Sequence, residues 1–408
     1  MEYRFFIKTY CITDMFMCIF VCSLLAFRDY SKIIIFLSVF MLCWLILNKL
    51  RRGILKRNIL YFGIYKLLFI VLCMGSSLWS VNPNITYLCL SMLYRMLICF
   101  CVLFYVNSED NFIKLIKFCL LGSCLLCLRL LIVVPVDAWG NNRVGTYLSY
   151  DPDNSYGNTG ITYVLGVFSA ILIGDKSSLF VSTKTRYLLI IVFSLFSLLS
   201  GSKKQIFIIF VALVILLFFN SKNIFNFIKK TVLYCVVVFL IFFIVMNVDI
   251  LYHSIGYRLE SFFSFFGNYN TANLEDLSTV SRLSFLKDAF SIFLEHPFIG
   301  VGIDSFKYFN SFQFSWAECN FLEILADLGI VGFIIYYLPH IRILNNLIKR
   351  YKRKSNFLII SLILFAVLLF IDATMVSYNE AHLQFYLAIL YSYCFLINTR
   401  RDVKCKKV

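Results

Sequence analysis

The chain has 408 residues, of which 61% are hydrophobic and 15% charged, and its mean hydropathy is +0.84. Soluble domains carry about 45–50% apolar and about 25% charged residues, so this composition excludes a soluble enzyme. Lysine and arginine number 38 against 22 acidic residues, which gives a formal net charge of +16. In a soluble protein that excess would suggest a nucleic-acid partner, but in a membrane protein the charges must first be compared with the predicted spans.

Apolar runs bounded by polar or charged clusters divide the chain into about 12 predicted membrane helices, each near the length of about 20 residues that a bilayer requires. The expected fold class is an all-α, polytopic integral membrane protein with one long outer loop between spans 9 and 10. The predicted spans are 10–27, 31–48, 59–79, 86–106, 115–134, 158–174, 187–200, 205–220, 231–247, 320–340, 356–374 and 382–398.

Basic residues lie in alternate connections between these spans, whereas the other connections are short or acidic. The positive-inside rule therefore places the basic connections and both termini in the cytoplasm. The positive charge then orients the protein in its membrane, and no nucleic-acid partner is expected. The basic connections are 49–57, 114–117, 176–186, 222–230, 342–354 and 400–407.

The longest outer segment separates two groups of spans and suggests three regions. Residues 1–247 form a membrane bundle of about nine spans, 248–319 an outer loop with an amphipathic helix, and 320–408 a bundle of about three spans with a basic tail. Connections longer than about 15 residues are usually functional, so a binding site is expected in the outer loop. A shorter outer segment covers 135–157.

The fifteen cysteines lie mostly inside apolar runs, where they are predicted to be small buried hydrophobic residues. The chain has no Cys/His spacing typical of zinc and no Walker or dinucleotide motif. We therefore expect no metal and no cofactor.

Four charged residues, Asp14, Lys66, Arg95 and Arg129, fall inside predicted spans. A charge there costs several kcal/mol, so each is expected to face the interior of the bundle. Internal pairing or snorkelling explains Asp14 and Lys66 as well as a functional role does. Arg95 and Arg129 favour function, because arginine stays charged and can bind a phosphate through two hydrogen bonds.

An apolar residue recurs at helical spacing in the long outer segment, which predicts an amphipathic helix resting on the outer interface. Ser278 or Ser281 can cap its start, and Pro297 lies past its end. Arg282 would then stand in the first turn, where free backbone N–H groups and the helix dipole attract an anion; a solvated arginine is the alternative. The predicted apolar stripe consists of Leu283, Leu286, Phe290 and Phe293.

Three carboxylates, those of Glu318, Glu323 and Asp327, lie at the entry to the tenth span. Glu323 and Asp327 are four residues apart and share a helical face. Glu318 lies near the outer mouth, where a carboxylate could act as a general base. Gly329 and Gly332 are interpreted as small residues that allow close helix packing.

The run from Phe293 to Phe306, which contains His-Pro-Phe-Ile-Gly-Val-Gly-Ile-Asp, and the run from Asn320 to Gly332 resemble the signature of the bacterial O-antigen ligase and O-antigen polymerase superfamily. Segments 77–83, 143–154 and 199–204 are similar to further pieces of that family in the same order. The resemblance implies a glycosyltransferase of the bacterial inner membrane. Such an enzyme uses undecaprenyl-diphosphate-linked glycans at the periplasmic face, without a metal or a nucleotide sugar.

Individual residues also follow from the resemblance. Arg282 matches the family's arginine that binds the donor diphosphate, and Lys203 stands where the family usually has arginine. Ligases carry a catalytic histidine at the position of Glu318, so the resemblance favours the polymerase branch, with Glu318 as the base. Further substrate contacts are expected from Arg143, Arg129, Arg258 and Trp316.

The predicted function is an O-antigen or capsule polymerase, and two alternatives stay open. One is a ligase of the same fold, and the other is a transporter or flippase of lipid-linked glycans, which should show inverted repeats that this sequence lacks. The expected partners are the undecaprenyl-diphosphate-linked glycan as donor and acceptor, membrane lipid, and chain-length regulator and flippase proteins.

Overall fold

The computed structural model describes residues 2–50, 57–139, 144–148, 157–200, 204–221, 223–248, 252, 277–310, 316–350 and 356–405. Within these ranges the chain consists of helices joined by turns and three short 3-10 segments, and it contains no strand. Helices satisfy their own backbone hydrogen bonds, which is what a long apolar sequence requires when it is placed in a bilayer.

The helices up to the long outer segment are α1 (Glu2–Ala26), α2 (Ser31–Leu50), α3 (Arg57–Gly75), α4 (Ile85–Tyr105), α5 (Glu109–Val133), α6 (Gly157–Gly174), α7 (Thr183–Leu199), α8 (Lys204–Asn220) and α9 (Ile224–Asn247). The later helices are α10 (Leu277–Glu295), α11 (Phe306–Phe309), α12 (Asn320–Arg350), α13 (Asn356–Thr374) and α14 (Ala381–Cys405). Apart from α10 and α11, each of these helices covers one of the predicted apolar runs.

By length and composition, six helices within the described ranges can cross a membrane, namely α2, α3, α4, α5, α12 and α13. Shorter apolar helices cover Ile12–Ala26, Gly160–Gly174 and Lys204–Asn220. These findings confirm an all-α, multi-pass membrane protein. The count of about 12 spans and the long outer loop stay predictions.

The chain forms two compact units, each built from three separate segments. The first unit contains 1–34, 113–276 and 351–367, and the second contains 35–112, 277–350 and 368–408. In the first unit, α6 packs against α7 and α8 and is almost wholly buried from Gly160 onward. The division of the sequence at residues 247 and 319 stays a prediction.

The second unit packs α4 against α3 and α14, and α12 against α3, α10 and α14. Its core joins Phe69 of α3, Met92 of α4 and Ile324 of α12. Within α12 the helix is interrupted at Gly329, whose φ is 62° and ψ is −163°. This interruption lies where the segment after α10 meets α12.

Candidate functional site

The turn that follows α10 lies directly against the backbone of α12 at its interruption. Because Gly329 leaves the helical conformation, amide and carbonyl groups of α12 become available to a second segment of chain. Four backbone hydrogen bonds of 2.7–3.2 Å join the two segments. They pair Ile330 with Pro297, Val331 with Phe298, Val301 with Ala326 and Gly302 with Asp327.

Glycines permit this contact from both sides. A Cβ at Gly300 would lie 2.3 Å from the carbonyl oxygen of Asp327, and a Cβ at Gly329 would lie 2.3 Å from that of Phe298. Both glycines also have positive φ, 65° and 62°, which L side chains adopt only at a cost. Gly329 was predicted to allow close packing between helices. That prediction is wrong about the neighbouring segment, because the backbone that approaches Gly329 belongs to a turn.

The side chain of Asp327 fixes the loop before α11. It is fully buried, and its oxygens accept hydrogen bonds from the backbone N–H groups of Asp304 (2.6 Å), Ser305 (3.2 Å) and Phe306 (3.0 Å). Three backbone donors occupy this carboxylate, so Asp327 holds structure and is not free for proton transfer.

A third segment, 76–83, joins the same loop. Ser80 Oγ lies 2.6 Å from Ser305 Oγ, and Asn82 Nδ2 donates to Asp304 Oδ2 at 3.0 Å. Lys307 Nζ lies 2.6 Å from the same Asp304 oxygen. The three pieces of sequence that carry the resemblance in this unit therefore assemble into one structure. Asp304, Asn82 and Lys307 were missed as site residues, although Asp304 stands within the quoted motif.

Glu323 holds the chain just before Glu318. Its side chain is fully buried, and Oε2 accepts a hydrogen bond of 2.5 Å from the backbone N–H of Ala317. Among the described residues, no partner contacts the other oxygen, Oε1. A buried carboxylate thus fixes the backbone on which the predicted base stands.

Glu318 lies beside Arg282, 36 residues earlier in the chain. The distance from Arg282 Nε to Glu318 Oε2 is 3.8 Å, and the two side chains are 50% and 27% exposed. Glu318 has a φ of 57°, in the left-handed region that is uncommon for any residue with a side chain. Strained backbone conformations of this kind cluster at active sites, ligand clamps and switch regions.

The buried face of α10 holds Arg282 in place. Phe285, Ala289 and Ile292 pack into an apolar cluster with Ala317 and Ala326, among others. Because the backbone N–H of Ala317 also donates the hydrogen bond to Glu323, one cluster positions both members of the pair. Arg282 and Glu318 lie at the edge of this cluster, where a solute can reach them.

The structure corrects two details of the predicted helix. Helix α10 begins at Leu277, so Ser278 and Ser281 lie within it and Arg282 stands in the second turn rather than the first. Phe290 of the predicted stripe is 49% exposed, whereas the buried positions are Phe285, Ala289 and Ile292. The helix carries apolar residues on two faces, and the face with the small Ala289 is the one that approaches α12 closely.

Arg129 has a different environment in the first unit. Its terminal nitrogens contact both carboxylate oxygens of Asp29 at 2.6 and 2.7 Å, and they also donate to the carbonyls of Ala26 and Leu148. The Arg129 side chain is only 10% exposed. This geometry supports an internal pair, and the predicted contact of Arg129 with substrate stays a prediction.

The remaining predicted site residues are placed as follows. Arg143, Lys203 and Arg258 lie outside the described residues. Trp316 is 45% exposed and lies two residues before Glu318 in the sequence.

The other charges predicted inside spans have polar partners. Asp14 pairs with Lys114 at 2.5 Å. Lys66 donates to Gln384 at 2.5 Å, and Arg95 donates to Ser91 and Asn379. These contacts agree with the expectation that intramembrane charges face protein rather than lipid.

The arrangement in the second unit is suited to a transfer reaction in which an anionic group is bound next to a proton acceptor. A half-exposed guanidinium can bind phosphate oxygens, and a carboxylate within 4 Å of it can accept a proton from a neighbouring hydroxyl. The buried carboxylates of Glu323 and Asp327 hold the surrounding backbone, so the pair is positioned before any ligand arrives.

Residues 188–337 match the family model described as O-antigen ligase. The matched region includes Arg282, Glu318, Glu323 and Asp327. The match confirms the resemblance to the O-antigen polymerase and ligase superfamily, and it does not distinguish the two branches. No curated protein matches the chain.

Proposed function

We propose that this chain, whose residues 188–337 match the O-antigen ligase family model, is a polysaccharide polymerase. It joins undecaprenyl-diphosphate-linked repeat units of O-antigen or capsule at the periplasmic face of the inner membrane. The observation that carries the proposal is the 3.8 Å contact between Arg282 and Glu318. That contact supports a leaving-group cation and a general base at one place.

The reaction exchanges one bond at the anomeric carbon of the donor. A sugar hydroxyl of the acceptor attacks that carbon, and the bond from the carbon to the diphosphate oxygen breaks. The hydroxyl proton passes to the Glu318 carboxylate, and undecaprenyl diphosphate departs with the bonding electron pair. The positive charge of Arg282 stabilises the negative charge that develops on the departing oxygen.

The contact geometry leaves Arg282 able to bind a diphosphate. It is Arg282 Nε that lies 3.8 Å from Glu318 Oε2, and the side chain, which is 50% exposed, also carries two terminal nitrogens. Those two nitrogens form the edge that arginine uses to bind phosphate oxygens in pairs. Glu318 then stays on the Nε side, where the acceptor hydroxyl would approach.

The test is the glycan banding pattern of cells that lack the protein and are complemented with wild type, Arg282→Ala or Glu318→Ala at matched expression. A base contributes roughly 10²–10⁴-fold to a rate, so Glu318→Ala should leave a single attached repeat unit in place of a ladder. Glu295→Gln, which changes an exposed carboxylate on α10, should restore the ladder.

A ligase is the second candidate, because the matching model is described as O-antigen ligase. A ligase joins finished polymer to its acceptor, so cells without it should attach no glycan and accumulate lipid-linked polymer. The polymerase proposal predicts attachment of one unit. A normal ladder in the null strain would contradict both functions and would favour a transport or structural role.

The proposed function includes a membrane topology and two partner proteins. Both termini lie in the cytoplasm, and a flippase and a chain-length regulator act beside it on the same lipid-linked glycan. A C-terminal fusion to a reporter that functions only in the cytoplasm should be active. A C-terminal fusion to a reporter that functions only in the periplasm should be inactive. The opposite result would invert the topology and remove the 277–319 segment from the side where the substrate is presented.

A further inference from the structure

A second ion pair of the second unit lies at the start of α11. Lys307 Nζ is 2.6 Å from Asp304 Oδ2, and the two side chains are 27% and 14% exposed. Like the Arg282–Glu318 pair, the Asp304–Lys307 pair joins a cation to a carboxylate that solvent can reach. The proposed transfer reaction assigns no role to Asp304 or Lys307.

One apolar cluster supports both ion pairs. Phe306 and Ala317 are fully buried in this cluster. Lys307 directly follows Phe306, and Glu318 directly follows Ala317. Arg282 stands on α10, which contributes three residues to the same cluster. The Asp304–Lys307 pair is therefore held by the scaffold that holds the proposed catalytic pair.

The carboxylates of both pairs stand on backbone in an uncommon conformation. The described part of the chain has three non-glycine residues with positive φ, and two of them are Asp304, at 55°, and Glu318, at 57°. Side chains are rare in this left-handed region, and strained residues cluster at active sites and ligand clamps. The backbone conformation of Asp304 thus favours a role in ligand binding.

Asp304 and Lys307 offer further hydrogen-bonding groups to a ligand. The ammonium group of Lys307 has three N–H donors, and its contact with Asp304 uses one of them. Asp304 Oδ2 accepts from both Lys307 and Asn82, so neither of these contacts uses Oδ1. Asn82 is 5% exposed and holds the carboxylate from the side of segment 76–83. The pair therefore presents donors and an acceptor in fixed positions.

Exposed aromatic rings stand beside this pair. Tyr308 is 49% exposed, and Lys307 Nζ lies 5.3 Å from the centre of its ring. Trp79 is 37% exposed and directly precedes Ser80, whose hydroxyl oxygen lies 2.6 Å from that of Ser305. Sugars have hydroxyl groups that form hydrogen bonds and C–H faces that pack on aromatic rings. Polar groups beside exposed rings therefore suit a sugar.

The distances within the two pairs separate their ligands. The charged groups are 3.8 Å apart in the Arg282–Glu318 pair and 2.6 Å apart in the Asp304–Lys307 pair. At the shorter distance a direct, charge-assisted hydrogen bond compensates the charge of Lys307. A phosphate would have to compete with Asp304 for this cation, whereas a neutral hydroxyl group would not.

We propose that Asp304 and Lys307 bind sugar hydroxyl groups of the acceptor glycan, with Tyr308 packed on a sugar ring. This inference rests on the proposed function, in which an acceptor hydroxyl reaches Glu318. A hydroxyl group is both donor and acceptor, so Asp304 Oδ1 accepts from one hydroxyl and Lys307 donates to its neighbour. The pair orients the acceptor while Arg282 holds the donor diphosphate, and such orientation accelerates a reaction between two substrates.

The test measures how the full chain binds a single repeat unit, prepared by partial hydrolysis of the cells' own surface polysaccharide. Saturation-transfer difference NMR gives the dissociation constant in micelles of a detergent without a sugar head group. The probe carries no diphosphate, so the wild type is compared with Arg282→Ala as well as with Lys307→Met and Lys307→Arg. The matched control is Lys287→Met, which alters an exposed lysine on α10.

Lys307→Met should raise the dissociation constant at least about tenfold, because a hydrogen bond from a charged donor is lost. Lys307→Arg keeps the charge and should raise it about threefold or less. Lys287→Met and Arg282→Ala should bind like the wild type. Equal binding by Lys307→Met and the wild type, loss of binding in Arg282→Ala, or no binding by the wild type would overturn the proposal.

Thermal unfolding shows whether the variants keep the fold. A partly exposed ion pair contributes little stability, so the melting temperature of Lys307→Met should stay within about 4 °C of the wild type. Asp304→Asn is the second variant, because asparagine tolerates the left-handed region and its amide oxygen can still accept from Asn82. It should raise the dissociation constant about threefold or more. Unchanged binding by Asp304→Asn would contradict the assigned role of Asp304.

Failure of this inference and failure of the proposed function are distinguishable. A normal glycan ladder in cells carrying Arg282→Ala or Glu318→Ala would contradict the function, whatever the repeat unit binds. Unchanged binding by Lys307→Met would contradict the acceptor site, whatever the ladder shows. In the purified enzyme, Lys307→Met should raise KM for lipid-linked repeat units and lower kcat less than Glu318→Ala does.

Discussion

The buried carboxylate of Glu323 accepts a 2.5 Å hydrogen bond from the backbone N–H of Ala317, the residue that precedes Glu318. The buried Glu323 side chain thus fixes the backbone that positions the accessible carboxylate of Glu318. We expect Glu323→Ala to abolish the glycan ladder nearly as completely as Glu318→Ala. It should also lower the free energy of unfolding by about 1–3 kcal/mol, because the amide of Ala317 loses its acceptor.

Glu323→Gln is the matched control, since its amide oxygen can still accept from Ala317. The ladder should return at least in part with Glu323→Gln and not with Glu323→Ala. Banding patterns and thermal unfolding in detergent measure the two effects. Full activity in Glu323→Ala would show that the backbone before Glu318 needs no such support.

Glu318 occupies the left-handed region of backbone conformation, which a glycine adopts without strain. Glu318→Gly should therefore be as stable as wild type, or more stable by about 1 kcal/mol. It should nevertheless fail to produce a ladder, because the carboxylate is gone. Thermal unfolding and complementation of the null strain, carried out on the same variant, separate the fold from the chemistry. A ladder with Glu318→Gly would exclude Glu318 as the base.

Gly300 lies against the carbonyl group of Asp327, and Gly329 lies against that of Phe298. Neither position has room for a methyl group. Either Gly300→Ala or Gly329→Ala should destabilise the protein by about 2–5 kcal/mol through strain and overlap. Gly75→Ala is the control, because nothing lies within 4 Å of a Cβ at that position. Its stability should stay the same or rise. Detergent-solubilised protein, assayed by thermal unfolding, gives the comparison.

Arg129 and Asp29 form a pair of which both side chains are largely buried, at 10% and 3% exposure. Arg129→Met should cost about 3–5 kcal/mol, because it leaves the carboxylate of Asp29 without its partner. Adding Asp29→Leu should recover most of that stability and restore the ladder. A double variant that is stable but gives no ladder would support the predicted role of Arg129 in substrate binding.

Much of the helical architecture could be predicted, because apolar runs of about 20 residues need no knowledge of their neighbours. The contact between the turn at 297–302 and α12 could not. It depends on a positive φ at Gly329 and on backbone N–H and C=O groups that would be hydrogen-bonded within the helix if α12 were regular. A small residue in an apolar run carries no sign of which of these roles it has.

The site was predictable in part for a similar reason. Arg282 and Glu318 could be named from the resemblance, but their contact follows from how α10 packs on α12. The apolar pattern of α10 allows two buried faces, and the sequence does not tell which one meets α12. The supporting roles of Glu323 and Asp327 depend on backbone donors from other segments, which no spacing within α12 reveals.

The joining of Ser80 to Ser305 has a consequence for how the protein is made. These residues are 225 positions apart, so a growing chain must insert α3 and α4 into the membrane long before their partners leave the ribosome. The segment around Ser80 cannot form its contact with Ser305 until the later part of the chain has been synthesised. A chain that stops before α12 cannot assemble the site, however well its earlier helices insert, and activity therefore appears only near the end of translation.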